Sequence, residues 1–133
     1  MKAVAARMTR GLNLGSLINA TDNSGAVLVR ITGVKEGKGR RGRQISATLG
    51  DWVKVSVRKG LPDMKGKVFD AVVVRQRMIY RRLSGERICF TDNACVLLKD
   101  EKGNPKGTQV KGPVPREIME RWKQVGKLAQ SVV

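Results

Sequence analysis

A chain of 133 residues is long enough for one domain with a hydrophobic core and too short for two sizeable ones. Its 27 lysine and arginine residues against 11 aspartate and glutamate residues give a net charge of +16, so the protein should attract polyanions, of which nucleic acid is the first candidate. The absence of histidine from the sequence excludes imidazole-based catalysis and removes the commonest metal ligand.

Membrane proteins and disulfide-rich proteins are also disfavoured. The chain has no apolar run of about 18 residues, and Arg7 and Arg10 interrupt the N-terminus where a signal peptide would need an apolar stretch. We therefore expect a soluble intracellular protein. Two cysteines, Cys89 and Cys95, are too few for a disulfide scaffold and lack histidine partners for zinc, and we interpret them as small buried residues on neighbouring strands.

Short apolar runs separated by turn residues predict strands up to about residue 98. Residues 16–20 ("SLINA") and 26–35 ("AVLVRITGVK") flank a turn cluster, and 51–58 ("DWVKVSVR") alternates with the period of a half-buried strand. Residues 68–74 ("VFDAVVV") are apolar on both faces, and "RICF" and "ACVLL" follow them. The pattern predicts a small antiparallel barrel or sandwich.

The last part of the chain changes to a helical period after the loop 99–112. Four apolar residues, spaced by four, three and four positions, share one helical face: Ile118, Trp122, Val125 and Ala129. Pro115 lies where the first turn tolerates proline, and Gly126 should break or weaken the helix. We expect one helix or two short ones.

Residues 35–43 ("KEGKGRRGR") concentrate positive charge between two predicted strands. Five of these residues are basic, and three glycines allow backbone amides to approach phosphate closely. A solvated hairpin tip and a nuclear-import patch are the alternatives. We favour nucleic-acid binding by Lys38, Arg40, Arg41 and Arg43, because a free-standing protein has little use for a flexible cationic loop.

Residues 72–82 ("VVVRQRMIYRR") run from valines typical of a core into four arginines. If one strand continues through them, Arg75, Arg77 and Arg81 share a face with the core residues and project past the core. An anionic partner would then be needed at the outer end of this strand.

The predicted hairpin that follows also indicates an anionic partner. With Ser84 and Gly85 as a two-residue turn, Arg82 falls opposite Arg87. Such a like-charge pair is destabilising unless Glu86 or an external anion lies nearby.

Aromatic residues are scarce, which bears on the kind of RNA. Readers of single strands stack bases on aromatic side chains, whereas this chain has five aromatics, several of which the core will use. Recognition of folded RNA by shape and backbone contact is therefore favoured. The alternative, a free single-strand RNA-binding barrel module, requires an exposed aromatic pair, for which Trp52 and Tyr80 are the candidates.

An RNA enzyme is a further alternative. The carboxylates that could hold a magnesium ion are Asp51, Asp63, Asp70 and Asp92. They form no tight cluster in the sequence, and Cys89 as a nucleophile lacks a histidine to activate it. We predict that the protein is not an enzyme and has no cofactor.

Residues 71–98 resemble the signature of the universal large-subunit ribosomal protein family numbered fourteen. The matching positions are Ala71, Val72, Val73, Val74, Ser84, Gly85, Phe90, Asn93, Val96 and Leu97. Segments 20–26, 50–57 and 103–117 resemble further family segments in the same order. The extended N-terminus and the "ERW" ending resemble the archaeal and eukaryotic branch.

The resemblance implies a mostly β fold: a five-stranded antiparallel barrel with a projecting hairpin and a short C-terminal helical segment. It divides a single domain at 1–133 into an N-terminal extension (1–15), the barrel (16–98) and the loop with the helical segment (99–133). It implies a cytoplasmic, structural constituent of the large ribosomal subunit that binds large-subunit rRNA.

The resemblance also implies partners. These are small-subunit rRNA at inter-subunit bridges, the neighbouring ribosomal protein families numbered three and twenty-four, and an anti-association factor near residues 112–133. The candidate rRNA-binding residues are Lys38, Arg40, Arg41, Arg43, Arg58, Lys59, Lys65, Lys67, Arg75, Arg77, Arg81, Arg82 and Arg87. The candidates for the surface that faces the small subunit or a factor are Lys111, Arg116, Arg121 and Lys123.

Overall fold

A computed structural model describes residues 2–37 and 39–133. Within these residues the chain forms twelve strands and two short helices. The strands are β1 (Ala6–Arg7), β2 (Leu12–Asn13), β3 (Leu17–Ala20), β4 (Ala26–Val34), β5 (Ser46–Ala47), β6 (Trp52–Gly60), β7 (Val68–Arg75), β8 (Tyr80–Arg82), β9 (Arg87–Ile88), β10 (Ala94–Leu98), β11 (Val110–Val114) and β12 (Ala129–Val132). The helices are α1 (Arg116–Arg121) and α2 (Lys123–Lys127). Neither these helices nor any other described part of the chain offers a helix long and apolar enough to cross a membrane.

Five of the described strands close into a barrel in the order β10-β3-β4-β6-β7, which confirms the predicted architecture. Neighbouring strands are antiparallel except for β3 and β10, which run parallel. A closed ring with an odd number of strands cannot alternate in direction throughout. One parallel pair is therefore required, and it is the one departure from the expected antiparallel arrangement.

The period-two pattern of β6 sorts its residues as predicted. Val53, Val55 and Val57 are buried in the barrel core, whereas Lys54 and Arg58 are exposed on the outside. Burial of three valine side chains stabilises the strand by about 1.5–3 kcal/mol each. The same alternation places the charged residues of β6 on the surface.

The strand β7 is apolar on both faces because each face meets a different core. Ala71 and Val73 belong to the barrel interior. Val72 and Val74 point outward into a second cluster of buried residues, to which Ile118 of α1 contributes. The C-terminal segment is thus the cover for one side of the barrel.

The C-terminal segment forms two short helices, which was one of the predicted alternatives. They meet at Trp122, whose φ of −119° and ψ of 74° are not helical, and its Nε1 atom donates to the carbonyl of Gly50 at 2.8 Å. The break is therefore not at Gly126, which lies inside α2, where a Cβ atom would come within 2.9 Å of the Cα atom of Met119. Ala129, which was predicted on the helical face, begins β12 and pairs in parallel with β11.

The chain leaves the barrel after Arg75, so the prediction of one strand running on to Arg81 is wrong. The backbone N–H of Arg77 donates to Oδ1 of Asn93 at 2.8 Å instead of continuing the ladder. The strands β8 and β9 then form a hairpin that pairs with β1 in a separate three-stranded sheet. The region 16–98 therefore contains more than the barrel, and the N-terminal extension contributes two strands.

The loop between β8 and β9 has three residues rather than the predicted two. The N–H of Arg82 donates to the carbonyl of Glu86 at 2.9 Å, and Gly85 has a φ of 96°, as expected at the left-handed position of a three-residue hairpin loop. Arg81 rather than Arg82 therefore lies opposite Arg87. The predicted like-charge pair exists, but with a different arginine.

Candidate nucleic-acid interface

The first concentration of positive charge is the loop between β4 and β5. Arg40, Arg41 and Arg43 are exposed there, while the predicted site residue Lys38 lies outside the described residues. The N–H of Arg43 donates to the carbonyl of Arg40 at 3.1 Å, and Arg41 and Gly42 have φ values of 51° and 70°. This turn presents three guanidinium groups to solvent, none of them paired with an acid among the described residues.

The second concentration is the last part of β6 together with its connection to β7. Its four predicted basic residues are all exposed: Arg58, Lys59, Lys65 and Lys67. The N–H of Val57 donates to the carbonyl of Lys67 at 3.0 Å, and the N–H of Gly66 donates to the carbonyl of Val57 at 2.9 Å. These two bonds close the connection, which carries Lys65 and Lys67, whereas Arg58 and Lys59 lie on β6.

Arg30 lies beside Arg58, although sequence reasoning did not select it. The register of β4 and β6 places Arg30 opposite Ser56, two residues from Arg58, and both arginines line an open groove of about 340 Å³. The signal was present in the sequence, because Val29 and Ile31 flank Arg30 and strand alternation turns it outward.

Arg75 is buried, contrary to the expectation that it projects past the core. Its side chain is 8% exposed, and its Nε and Nη2 atoms donate to the two carboxylate oxygens of Asp92 at 2.9 and 3.0 Å. Its Nη1 atom donates to the carbonyls of Lys111 and Pro113 at 3.0 and 3.1 Å. Hydrogen bonding from Arg75 holds the pKa of Asp92 below its usual value. Arg75 thus joins the end of β7 to β11.

Arg82 is also used inside the protein, contrary to its prediction as an exposed contact. Its Nε atom donates to Oε1 of Glu117 at 2.6 Å, and its Nη2 atom donates to the carbonyl of Val133 at 2.6 Å. The hydroxyl of Tyr80 donates to the other carboxylate oxygen of Glu117 at 3.2 Å. Burial, followed by the charge of Glu117, raises the pKa of Tyr80 to about 12. This network fastens α1 and the C-terminus to the β8–β9 hairpin.

Three other predicted arginines keep exposed side chains: Arg77, Arg81 and Arg87. The N-terminal strand adds a further one, because Arg7 lies directly opposite Arg81 in the register of β1 and β8. Sequence reasoning missed Arg7 as a site residue because a two-residue strand has no periodic signal.

The cations predicted on the C-terminal surface divide into two kinds. Lys111 on β11, Arg116 at the start of α1 and Lys123 at the start of α2 are exposed. Arg121 is only half-exposed and interacts with Asp51. Burial raises the pKa of Asp51, and the charge of Arg121 partly opposes that rise. Three of the four residues are therefore presented to solvent.

The carboxylates considered for magnesium are spread over the molecule. Asp51 accepts a backbone hydrogen bond at 2.9 Å, Asp70 pairs with Lys54 at 3.4 Å, Asp92 pairs with Arg75, and Asp63 is exposed. Residues 2–37 and 39–133 contain no group of three or more acidic or cysteine side chains that could hold a metal ion.

The two cysteines differ in environment. Cys95 is fully buried, and burial raises the pKa of its thiol. Cys89 is exposed, so the prediction that both are buried is wrong for Cys89.

Among residues 2–37 and 39–133, the aromatic side chains do not form an exposed stacking pair. Tyr80 is 1% exposed, and the ring of Trp52 packs edge-on against Trp122 at 5.6 Å between centroids. The Nζ atom of Lys35 lies 3.5 Å from the centroid of the Trp52 ring. The free single-strand module therefore lacks the platform it requires.

Comparison with known proteins identifies the family. Residues 11–133 match the family model described as ribosomal protein L14p/L23e. The chain belongs to this family. Relatives named large ribosomal subunit protein uL14 are 48% identical in Nanoarchaeum equitans, 47% in Halobacterium salinarum and 42% in Methanocella arvoryzae, each over 133 residues that cover the whole of both chains.

The L14p/L23e assignment confirms the predicted family, and the archaeal relatives agree with the predicted branch. The matched segment contains all five barrel strands. The strand β1 precedes that segment, although the alignments with the relatives include it. Arg7 therefore lies outside the segment that the family model matches.

Proposed function

We propose that this L14p/L23e protein is a structural constituent of the large subunit of the cytoplasmic ribosome, that it binds large-subunit rRNA, and that it catalyses no reaction. The observation that carries the proposal is the full-length similarity to relatives named large ribosomal subunit protein uL14. The exposed cations on the loops and the scarcity of free aromatic surface support binding through the RNA backbone.

The rRNA-binding surface would consist of the loop between β4 and β5, the end of β6 with its connection to β7, and the β8–β9 hairpin with the segment that precedes it. Its residues are Arg40, Arg41, Arg43, Arg58, Lys59, Lys65, Lys67, Arg77, Arg81 and Arg87, with Lys38 as a further candidate. Arg75 and Arg82 would act indirectly, because their buried pairs fix the position of the hairpin and of the C-terminal segment.

The C-terminal surface would face the small subunit. Lys111, Arg116 and Lys123 offer exposed cations to small-subunit rRNA at inter-subunit bridges or to an anti-association factor, and Arg121 would support this surface from its partly buried position. Neighbours within the large subunit would include the protein families numbered three and twenty-four.

Salt titration tests the proposed rRNA binding. A protein that neutralises about 6–10 phosphates loses roughly a thousandfold or more in affinity between 50 and 200 mM salt. We expect this for the purified chain on a transcript of large-subunit rRNA, and we expect the chain in cell extract to sediment with large subunits. A flat salt response together with sedimentation away from large subunits would contradict the proposal.

A matched pair of triple variants locates the contact. Replacing the three loop arginines (R40Q/R41Q/R43Q) removes the same charge as replacing three exposed lysines elsewhere (K2Q/K102Q/K127Q). Each lost phosphate contact should reduce the magnitude of the negative slope of log affinity against log salt by about 0.9. We expect a large decrease for the loop variant only, and equal decreases would show that net charge alone matters.

A further inference from the structure

The outer face of the sheet β1-β8-β9 carries three arginines in one row. Arg7 lies directly opposite Arg81, and Arg81 lies directly opposite Arg87. Side chains that are directly opposite in antiparallel strands point to the same face, and adjacent strands are about 4.8 Å apart. The guanidinium groups of this arginine row therefore extend from three neighbouring backbone positions. All three side chains are exposed.

The inner face of the same sheet has a different character. Ala6 and Ile88 pack against the second cluster of buried residues, and Tyr80 and Arg82 bind Glu117. Alternation along each strand thus separates a buried, neutralised face from a cationic one. The arginine row is a consequence of the fold, since the inner face fixes which residues point outward.

No acidic residue in the described part of the chain pairs with an arginine of the row. Glu86, the carboxylate of the same hairpin, lies 4.0 Å from Nη1 of Arg82 and accepts a hydrogen bond from Ser84 at 3.3 Å. Glu117 is buried on the opposite face. None of the three arginines forms an ion pair with another described residue. Like charges directly opposite each other are destabilising, and this row contains two such contacts.

The row also borders an open groove of about 710 Å³. Its wall includes Thr9 and Ile79 as well as the three arginines. The N-terminal segment is held at this groove, because the hydroxyl of Thr9 donates to the carbonyl of Ile79 at 2.6 Å. The fully buried side chain of Gln76 donates to the carbonyl of Thr9 at 3.1 Å. The strand that supplies Arg7 is therefore held in place by hydrogen bonds to both the hydroxyl and the carbonyl of Thr9.

We propose that the arginine row is a binding site for the phosphates of an RNA backbone, and that the N-terminal strand completes it. The fork of each guanidinium group suits bidentate contact with phosphate oxygens, and an anion in the groove would remove the repulsion that the sheet otherwise bears. The inference rests on the proposed function and extends it to Arg7, which precedes the segment matched by the family model.

The test compares Arg7→Gln and Arg81→Gln with Lys102→Gln, an exposed lysine outside the row. Affinity for a transcript of large-subunit rRNA is measured as a function of salt. Each row variant should reduce the magnitude of the negative slope of log affinity against log salt by about 0.9, which corresponds to one lost phosphate contact. Lys102→Gln should leave the slope unchanged. Arg7→Lys should bind better than Arg7→Gln and less tightly than wild type, because it restores the charge but not the fork.

The unfolding temperature of the free protein supplies a second readout. Arg81→Gln removes both like-charge contacts, so it should unfold at the same or a higher temperature than wild type while binding RNA less tightly. A residue with a merely structural role would lose stability and binding together. If Arg7→Gln fails to fold, Arg81→Gln and Arg87→Gln carry the same test.

The outcomes separate this inference from the proposed function. A steep wild-type slope that the row variants leave unchanged would overturn the phosphate site while rRNA binding stands. Unchanged slopes combined with loss of sedimentation with large subunits would assign the row to an acidic protein neighbour and would also overturn it. A wild-type chain that does not bind the transcript would contradict the proposed function itself.

Discussion

The Nε atom of Arg82 lies 2.6 Å from Oε1 of Glu117, and the two side chains are only 7% and 4% exposed. The pair joins the β8–β9 hairpin to the first helix, and it connects residues 35 positions apart in the sequence. The buried carboxylate of Glu117 needs the positive charge of Arg82 beside it, because an unpaired buried charge is strongly destabilising.

Removing one partner of this pair should therefore cost much of the stability. Glu117→Gln removes the buried counter-charge of Arg82 and leaves, among the described residues, only the more exposed Glu86 at 4.0 Å, so we expect the free energy of unfolding to fall by about 3–5 kcal/mol. Urea denaturation followed by circular dichroism measures it. Lys2→Gln, which breaks an exposed pair with Glu120, should change stability by less than about 1 kcal/mol. Similar small losses for both variants would show that the buried pair is not a stabilising contact.

Arg75 and Arg77 should respond differently to truncation. Arg75→Ala leaves the partly buried Asp92 unpaired and two carbonyls without their donor, so we expect a loss of about 3 kcal/mol or more. The exposed side chain of Arg77 should contribute within about 0.5 kcal/mol. Thermal unfolding of the two single variants distinguishes them. Incorporation of the Arg77 variant into large subunits then tests the RNA contact of Arg77. Equal unfolding temperatures for the two variants would contradict the buried role of Arg75.

The Arg75–Asp92 pair predicts a dependence of stability on pH. Since the pKa of Asp92 is lowered in the folded state, its contribution is complete above the unfolded-state pKa of about 3.9 and is lost as the pH falls through the folded value. The free energy of unfolding of wild type should fall more steeply below about pH 4 than that of Asp92→Asn. Urea titrations at a series of acidic pH values test this. Asp63→Asn, which changes an exposed acid, should parallel wild type, and parallel curves for all three would exclude the linkage.

Gly126 is predicted to resist a substitution that helices usually favour. Replacing an interior helical glycine by alanine ordinarily stabilises by about 0.5–1 kcal/mol. Here a Cβ atom would lie 2.9 Å from the Cα atom of Met119, so Gly126→Ala should instead lose about 1–3 kcal/mol. Gln124→Ala, at an exposed position of the same helix, is the control and should be neutral or slightly stabilising. A stabilised Gly126→Ala would mean that α1 and α2 can separate without loss.

Charge reversal at Arg116 tests the proposed C-terminal surface. Arg116→Glu should leave incorporation into large subunits unchanged, because the side chain is exposed and makes no ion pair among the described residues. It should reduce the fraction of joined subunits in a sucrose gradient at low magnesium. Lys127→Glu, an exposed change in α2, provides the comparison. Normal joining with Arg116→Glu would remove Arg116 from the surface that faces the small subunit.

Local patterns in the sequence predicted the barrel strands well. The alternation around Val53 and Val55 was sufficient for β6, and the apolar run that includes Val72 and Val73 indicated burial of β7 on both faces. What covers the outer face of β7 was not predictable from that run. The cover comes from Ile118 and its neighbours, far along the chain, and such distant pairing leaves no local pattern.

The positions of the arginines were predicted less well, for two physical reasons. A one-residue difference in loop length placed Arg81 rather than Arg82 opposite Arg87, and Arg82 lies on the buried face of its strand, where it pairs with Glu117. The sequence also showed the charge of Arg75 but not its distant neutralisation, since Asp92 and the carbonyls of β11 meet it only in three dimensions. Composition predicted that the surface is positively charged. Tertiary contacts determine which arginines are buried and which remain exposed on that surface.

The parallel pair β3–β10 has a consequence for synthesis. The backbone N–H groups of Asn19 and Thr21 donate to the carbonyls of Asn93 and Cys95. The first strand of the barrel, β3, can therefore complete its pairing only after the last barrel strand, β10, has been made. Until the ribosome has made that final strand, the nascent sheet has an open edge and apolar residues in contact with water, which favours association with other chains. A chain released before Cys95 should therefore behave as an aggregating fragment, and a chaperone that shields β3 during translation would increase the yield of full-length protein.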